Sequence, residues 1–205
     1  MSDATADRRF ELTPLRGQRY TAVAIVLHWA IGLAILAQLA LGLAMTQLTI
    51  PPATLFAWYQ LHKSIGITVM LLVVVRIAWR LGHRPPPLPA DLPVLERRAA
   101  RGTHLALYAF MLAMPLTGWA MVSASVYNIP TVLFGLVPWP HLPVLATLPD
   151  KGAYEGVFKT IHAYLGFALI AFVGLHIAAA LRHQIFKRDA VLWRMLPLWR
   201  RPTNS

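Results

Sequence analysis

Four long apolar segments dominate this chain and limit what it can fold into. They cover residues 20–45, 55–81, 103–126 and 156–181, and each reaches the length of about 20 residues that a helix needs to cross a membrane. The chain is 57% hydrophobic and only 13% charged, whereas soluble domains are about 25% charged. The first segment also exceeds the roughly 7–15 apolar residues of a signal peptide. The sequence therefore predicts an all-α fold, a four-helix transmembrane bundle.

The basic residues predict how this bundle is oriented. All but three of the nineteen Lys and Arg residues lie in the N-terminal tail, in the region 76–101 or after residue 181, and the exceptions are Lys63, Lys151 and Lys159. Because Lys and Arg accumulate on the cytoplasmic side of membranes, both termini are predicted to be cytoplasmic. The chain is then a multi-pass membrane protein, and its opposite side faces the periplasm if the membrane is a bacterial inner membrane. Residues 1–18 and 198–205 form polar cytoplasmic tails around a membrane domain of residues 19–197.

The two longer connections differ in composition. Residues 82–99 are rich in proline and basic side chains, as expected of a cytoplasmic loop. Residues 127–155 are partly apolar, but five prolines interrupt them, and proline breaks a helix that would cross the membrane. This stretch is therefore predicted to be a long periplasmic loop between helices 3 and 4, folded over one mouth of the bundle or lying at the membrane interface.

Composition also excludes several classes of function. The chain has no cysteine, which rules out disulfides, thiolate zinc sites, cysteine-ligated iron–sulfur clusters and covalently attached haem. Its formal charge is +11, but the basic residues flank apolar segments instead of forming a patch on a soluble fold. We therefore read them as topology signals and expect no binding to nucleic acid.

Four histidines lie inside the apolar segments at two matched depths. His162 and His176 are fourteen residues apart, so they share one helix face and are separated by roughly 21 Å along the axis. His28 lies in the first segment at the same membrane depth as His176, and His62 lies in the second segment at the same depth as His162. Two layers result, one on each side of the bilayer centre. His104 begins the third segment and is an alternative to His28, although it looks too shallow.

Paired imidazoles in hydrocarbon predict a bound iron porphyrin. Polar groups inside a membrane are costly and usually mark function, and coordination by both imidazoles to one haem iron removes that cost. Such iron carries electrons and leaves no open position for oxygen. A glycine follows three of the histidines by four residues, at Gly32, Gly66 and Gly166, and would let a flat ring approach the helix. The alternative reading of these glycines is ordinary packing of membrane helices through small residues.

Several segments resemble the bacterial cytochrome b561 family, most of all its superoxide oxidase branch. The likeness runs in order over about residues 20–197, through VLHWAIG, LHKSIGI, VVVRIAWRL, KTIHAYLGF, GLHIAAALRHQIF and LWRMLP. The resemblance implies a dihaem cytochrome b with two non-covalent haem b groups and electron transfer from periplasmic superoxide to ubiquinone. It places the axial ligands of the haem iron at the four histidines already paired by depth: His28 with His176, and His62 with His162.

Two lysines suit an anionic substrate at the predicted periplasmic mouth. Lys63 follows His62 directly, and Lys159 lies three residues before His162. A positive potential there would steer superoxide towards that layer. The alternative is that both are interfacial lysines whose charged ends reach the headgroups.

Three side chains at the opposite end suit the second half of the reaction. His183 lies seven residues after His176 on the same face, and an imidazole could donate a proton or a hydrogen bond to ubiquinone. It could equally face lipid headgroups. Arg76 and Arg80 lie one turn apart near the cytoplasmic end of the second segment, and either haem propionates or lipid phosphates are plausible partners.

Two other functions remain open from the sequence. The chain could be a cytochrome b subunit that carries electrons between a periplasmic redox protein and the quinone pool, with the 127–155 loop as its docking surface. It could also be a small transporter or scaffold whose histidines bind metal or protons. The lack of Asp and Glu within the four apolar segments disfavours a proton relay.

Overall fold

Four long helices form the body of the protein. The computed structural model describes residues 19–87, 92–187 and 191–197, so the predicted tails at 1–18 and 198–205 lie outside the described residues. The long helices are α1 (Ala22–Gln47), α2 (Pro52–Gly82), α3 (Val94–Ser123) and α5 (Lys151–Arg182), and a short helix α4 (Pro143–Ala146) precedes the last. All four long helices have the length and apolarity to cross a membrane. The prediction of an all-α, four-helix transmembrane bundle is confirmed.

Helix α3 begins earlier than the apolar pattern indicates. Its first residue is Val94, in the stretch predicted to be a loop, whereas the apolar segment starts at residue 103. Apolarity marks only the part of a helix that lies in lipid, and the sequence VLERRAA consists largely of good helix formers. Glu96 in this first turn forms ion pairs with Arg182 and Lys187 near the end of α5, so the additional turns tie the two helices together.

The long helices pack in chain order around a narrow core. Helix α1 packs on α2, α2 on α3 and α3 on α5, while α1 and α5 approach each other closely at few backbone positions among the described residues. The buried cluster consists of Leu27, Ile31, Ile35, Val69, Val73 and Leu169. Large apolar side chains such as Leu33, Val74 and Phe167 point outward, as expected of a surface that faces lipid.

The connection between α3 and α5 folds back onto the helix ends. Strand β1 (Thr131–Leu133) pairs antiparallel with β2 (Val137–Trp139), and the turn between them uses positive φ angles at Phe134 and Gly135. The backbone N–H of Phe134 donates to Ser64 Oγ over 2.9 Å. The N–H of Leu142 donates to Ser123 Oγ over 2.9 Å. We call this end of the bundle the loop face.

The opposite end, here called the terminal face, is closed by residues 191–197. Trp29 Nε1 donates to the Met195 carbonyl over 2.7 Å, and Arg19 donates to the Leu196 carbonyl over 2.7 Å. The N–H of Tyr20 reaches the Arg194 carbonyl at 3.4 Å. These bonds tie the end of the described chain to the start of α1.

Candidate functional site

The four intramembrane histidines form the two layers that their depths predict. His28 of α1 and His176 of α5 have ring centres 6.1 Å apart, with 72° between the ring planes. His62 of α2 and His162 of α5 have ring centres 6.3 Å apart, with 74° between the planes. The first pair lies near the terminal face and the second near the loop face. We call them the terminal-face layer and the loop-face layer.

These distances fit two imidazoles that share one iron atom. A ligating nitrogen lies about 2 Å from its metal and about 1 Å from the centre of its own ring, so two rings on opposite sides of one metal have centres about 6 Å apart. Both layers match that value. The described residues contain no group of three or more His, Asp or Glu side chains that could hold a metal ion. The pairs therefore fit the axial positions of a porphyrin iron better than a bare metal site.

A fifth histidine lies close to the terminal-face layer. The ring centre of His104, in α3, is 5.4 Å from that of His176, which is shorter than the separation in either layer. All four predicted ligands are half-buried within the protein, whereas His104 is exposed on the bundle surface. Depth and the ring separation of about 6 Å thus favour His28 over His104 as the partner of His176.

The loop-face layer is closely surrounded by small and neutral residues. A Cβ on Gly118 of α3 would lie 3.2 Å from His162 Cε1, and a Cβ on Gly42 of α1 would lie 3.5 Å from His62 Cε1. Thr117 Oγ1 is 3.0 Å from His162 Nδ1. Sequence reasoning missed these three residues because each lies on a different helix from the histidine that it contacts.

The glycines that the sequence singled out have other neighbours. A Cβ on Gly66 would lie 3.1 Å from Gln38 Nε2, and one on Gly166 would lie 3.7 Å from Met114 Cε. Gln38 Nε2 also donates to the His62 carbonyl over 2.8 Å, which joins α1 to α2. Helix packing accounts for these two glycines, whereas a Cβ on Gly32 would have open space around it.

The terminal-face layer lies beside a cationic cavity. Arg76 Nε donates to the Tyr108 hydroxyl over 3.0 Å, and another guanidinium nitrogen donates to the Ala24 carbonyl over 2.8 Å. Arg80 stacks over the Tyr108 ring, 5.7 Å from its centre. Both arginines line a cavity of about 240 Å³ whose walls also include Arg19, Arg84 and His83, and no Asp or Glu is among its described lining residues. An anionic group would be electrostatically favoured there.

The remaining predicted residues lie at the two ends of the bundle. Lys63 Nζ donates to the Pro130 carbonyl over 3.2 Å, so the loop holds its charge at the loop face, and Lys159 is exposed on that same face. His183 is the first residue of a π-helical turn, His183–Lys187, that continues α5 at the terminal face. Such turns occur frequently at functional sites.

Together, the membrane bundle and its two histidine layers define a class of protein: a membrane cytochrome b. The family model described as prokaryotic cytochrome b561 matches residues 19–198. The chain belongs to this family of membrane electron-transfer proteins, and it is a multi-pass inner-membrane protein whose family implies haem b.

Individual relatives cover most of the chain. Cytochrome b561 homolog 2 of Escherichia coli (strain K12) is 35% identical over 184 residues, which is 87% of this chain and 92% of that protein. A Yersinia pestis protein named "Probable superoxide oxidase CybB" is 26% identical, over 88% of this chain and 97% of its own. Cytochrome b561 homolog 1 of Escherichia coli (strain K12) is also 26% identical, over 87% and 97%.

Proposed function

We propose that this protein is a superoxide oxidase that holds two haem b groups and passes electrons from periplasmic superoxide to ubiquinone. The observation that carries the proposal is the pair of histidine layers, with ring centres 6.1 and 6.3 Å apart. His28 and His176 hold the iron of one haem, and His62 and His162 hold the other. The excess of Lys and Arg near the terminal face supports a cytoplasmic position for that face and a periplasmic position for the loop face.

The reaction balances with two superoxide anions for each quinone. Each superoxide loses one electron and leaves as dioxygen, and ubiquinone gains two electrons and two protons to become ubiquinol. Haem iron between paired imidazoles supplies reversible one-electron chemistry without an open coordination position. The chain's own tasks are then to attract the anion at the loop face and to seat the quinone and supply protons at the terminal face.

Lys63 and Lys159 serve the first of these tasks. The bond from Lys63 to the Pro130 carbonyl holds a positive charge one residue from His62, and the exposed Lys159 adds a second charge near His162. Glu155 on the same face accepts from the Val126 N–H at 3.3 Å, so a backbone dipole partly offsets its negative charge. The resulting field raises the encounter rate with an anion and weakens as salt is added.

The candidate residues for binding quinone and an anion at the terminal face are His183, Arg76 and Arg80. His183 begins the π-helical turn at the end of α5 and is our candidate to donate a hydrogen bond or a proton to ubiquinone. Arg76 and Arg80 are the candidate partners of an anion, either a haem propionate or a lipid phosphate. Both acceptors of Arg76, the Tyr108 hydroxyl and the Ala24 carbonyl, are neutral, so among the described residues its charge has no acidic partner and is available to such an anion.

One observation favours the alternative of a cytochrome b subunit served by a periplasmic redox protein. Three large side chains of the 127–155 segment are strongly exposed: Tyr127 at 77%, Phe134 at 57% and Leu136 at 82%. Exposed aromatic and aliphatic residues of this kind are enriched at interfaces between proteins. In this alternative the same two haems carry the electrons, and the partner replaces superoxide as the donor.

A superoxide flux separates these functions. The purified protein, loaded with haem and mixed with ubiquinone, should show haem reduction under a superoxide flux, and superoxide dismutase should abolish it. Haem that stays oxidised under the flux would eliminate the superoxide assignment and leave the subunit alternative. Protein from haem-sufficient cells without a reduced-minus-oxidised haem spectrum would eliminate both functions and leave a non-redox transporter or scaffold.

A further inference from the structure

Among the described residues, the side chain of Thr117 forms a hydrogen-bond contact with a ring nitrogen of a predicted haem ligand, His162. It lies in α3, and its Oγ1 is 3.0 Å from Nδ1 of His162. Both residues are half-buried within the bundle. Because this contact joins α3 to α5, it constrains the orientation of the His162 ring, which the α5 backbone alone does not.

The hydroxyl of Thr117 has a second partner, which decides the direction of the bond. Thr117 Oγ1 donates its single proton to the Met114 carbonyl over 2.9 Å. A hydroxyl whose proton is donated to one partner can only accept from another, so we assign a hydrogen to Nδ1 of His162, which donates it to Thr117 Oγ1. The other ring nitrogen, Nε2, then carries no hydrogen, and metal ligation requires such an unprotonated nitrogen.

We propose that Thr117 is the positioning residue of the loop-face layer: it holds the proton on His162 Nδ1 and turns Nε2 towards the iron. This inference rests on the proposed haem ligation by His162. A ligating histidine that donates its other N–H becomes more basic and keeps a fixed ring orientation. A more basic ligand stabilises ferric iron over ferrous iron, so Thr117 lowers the midpoint potential of the loop-face haem.

Among the described residues, His62, the other histidine of this layer, has no hydrogen bond that would orient its ring. His62 Nδ1 is buried and has no hydrogen-bond partner among the described residues. The loop-face layer is therefore asymmetric, with one oriented ligand on α5 and one ligand on α2 that is placed by packing alone. Thr117 acts on one ligand of one layer, which makes its effect separable from a general change in the bundle.

Two variants at this position test the proposal. Thr117→Val keeps the shape of the side chain and removes the hydroxyl, and Thr117→Ser keeps the hydroxyl and removes the methyl group. The haem-loaded proteins are titrated potentiometrically, with the two haem components followed by visible absorption and by low-temperature electron paramagnetic resonance. Thr117→Val should weaken the preference of the loop-face iron for the ferric state about tenfold, a rise of about 59 mV in its potential.

The matched controls decide the outcome. The proposal holds if Thr117→Val raises the potential of the loop-face component, or loses that component, alone while Thr117→Ser resembles the wild type; a lowered potential would contradict it. It is overturned if Thr117→Val leaves that component unchanged, if Ser and Val shift or lose it alike, or if both haem components move together. A wild-type protein without haem would instead refute the proposed function itself.

Discussion

The two histidine layers have nearly the same ring separations and very different surroundings. At the loop-face layer, Thr117 contacts His162 and the glycines Gly42 and Gly118 face the imidazoles, while the nearby charged amine of Lys63 is bound to the Pro130 carbonyl. At the terminal-face layer, the guanidinium of Arg76 and a third histidine, His104, lie close by. Ligand geometry is thus common to both layers, whereas the electrostatic environment is not.

If both layers hold haem as proposed, this contrast would favour one direction of electron transfer. A positive charge near a haem stabilises its reduced, less positive state and so raises its potential. The hydrogen bond from His162 to Thr117 acts in the opposite sense at the other layer. Both effects favour electron movement from the loop face to the terminal face, which is the direction that the proposed reaction needs.

The assignment of the histidines to two separate layers is tested most strongly by removing one predicted ligand from each layer. His162→Ala should lose the loop-face haem, and His28→Ala should lose the terminal-face haem, because the iron keeps only one imidazole in each case. The reduced-minus-oxidised spectrum and the haem content report the losses. His104→Ala is the matched control and should retain both components. Loss of the same spectral component in the first two variants would refute the pairing.

Gly118→Ala should disturb only the loop-face layer. The new Cβ would lie 3.2 Å from His162 Cε1, so the ring must shift away from its present position. We expect about tenfold weaker retention of the loop-face haem, measured by transfer of haem to a competing acceptor protein. Gly102→Ala on the same helix is the control, since nothing lies within 4 Å of its added Cβ. Equal haem loss in both variants would point to a general effect on α3.

Arg76→Gln should lower the potential of the terminal-face haem alone. The substitution removes the nearby positive charge and retains a side chain that can hydrogen-bond, so the reduced state loses stabilisation. A shift of about 59 mV corresponds to a tenfold change in the equilibrium between the two oxidation states, and we expect a decrease of about this size. Potentiometric titration of both components measures it. Arg101→Gln, an exposed arginine outside the cavity lining, should change neither potential, and an equal shift there would contradict the assignment.

Neutralising the loop-face lysines should have the smallest effect. Lys63→Gln and Lys159→Gln together should slow reduction by superoxide about two- to fivefold at low salt and flatten its dependence on ionic strength, because steering by surface charge is screened. Stopped-flow absorption of the haem under a superoxide pulse gives the rate. Arg101→Gln on the opposite face should retain the wild-type salt dependence. A rate unchanged in the double variant would remove these lysines from the mechanism.

The sequence predicts the helices and the ligand layers because both depend on local pattern. Apolar length defines the four spans, and the depth of each histidine along its own helix defines the layer to which it belongs. The early start of α3 at Val94 is missed because charged helical turns outside the bilayer do not differ in composition from a loop. Its pairing through Glu96 with Arg182 and Lys187 becomes visible only when α3 and α5 lie side by side.

The surroundings of the imidazoles could not be predicted in this way. Thr117 and Gly118 are separated from His162 by more than forty residues, and their contact depends on the rotation of α3 about its own axis. Gly42 and His62 are 20 residues apart, and their proximity likewise depends on how α1 and α2 pack together. Glycines four residues from a histidine on the same helix are easy to find in a sequence, but Gly66 and Gly166 have Gln38 and Met114 as neighbours. Proximity along the chain was a poor guide to proximity in space.

The hydrogen bonds from Arg19, Tyr20 and Trp29 to residues 194–196 have a consequence for local stability. These bonds bridge the start of the first helix and the last described residues, across the side of the bundle where the described parts of α1 and α5 have few close backbone approaches. Few backbone contacts hold that side together, so it depends on these bonds more than the rest of the bundle depends on any single bond. Under partial denaturation, we expect the amide protons of this side to exchange before those of the α3–α5 side.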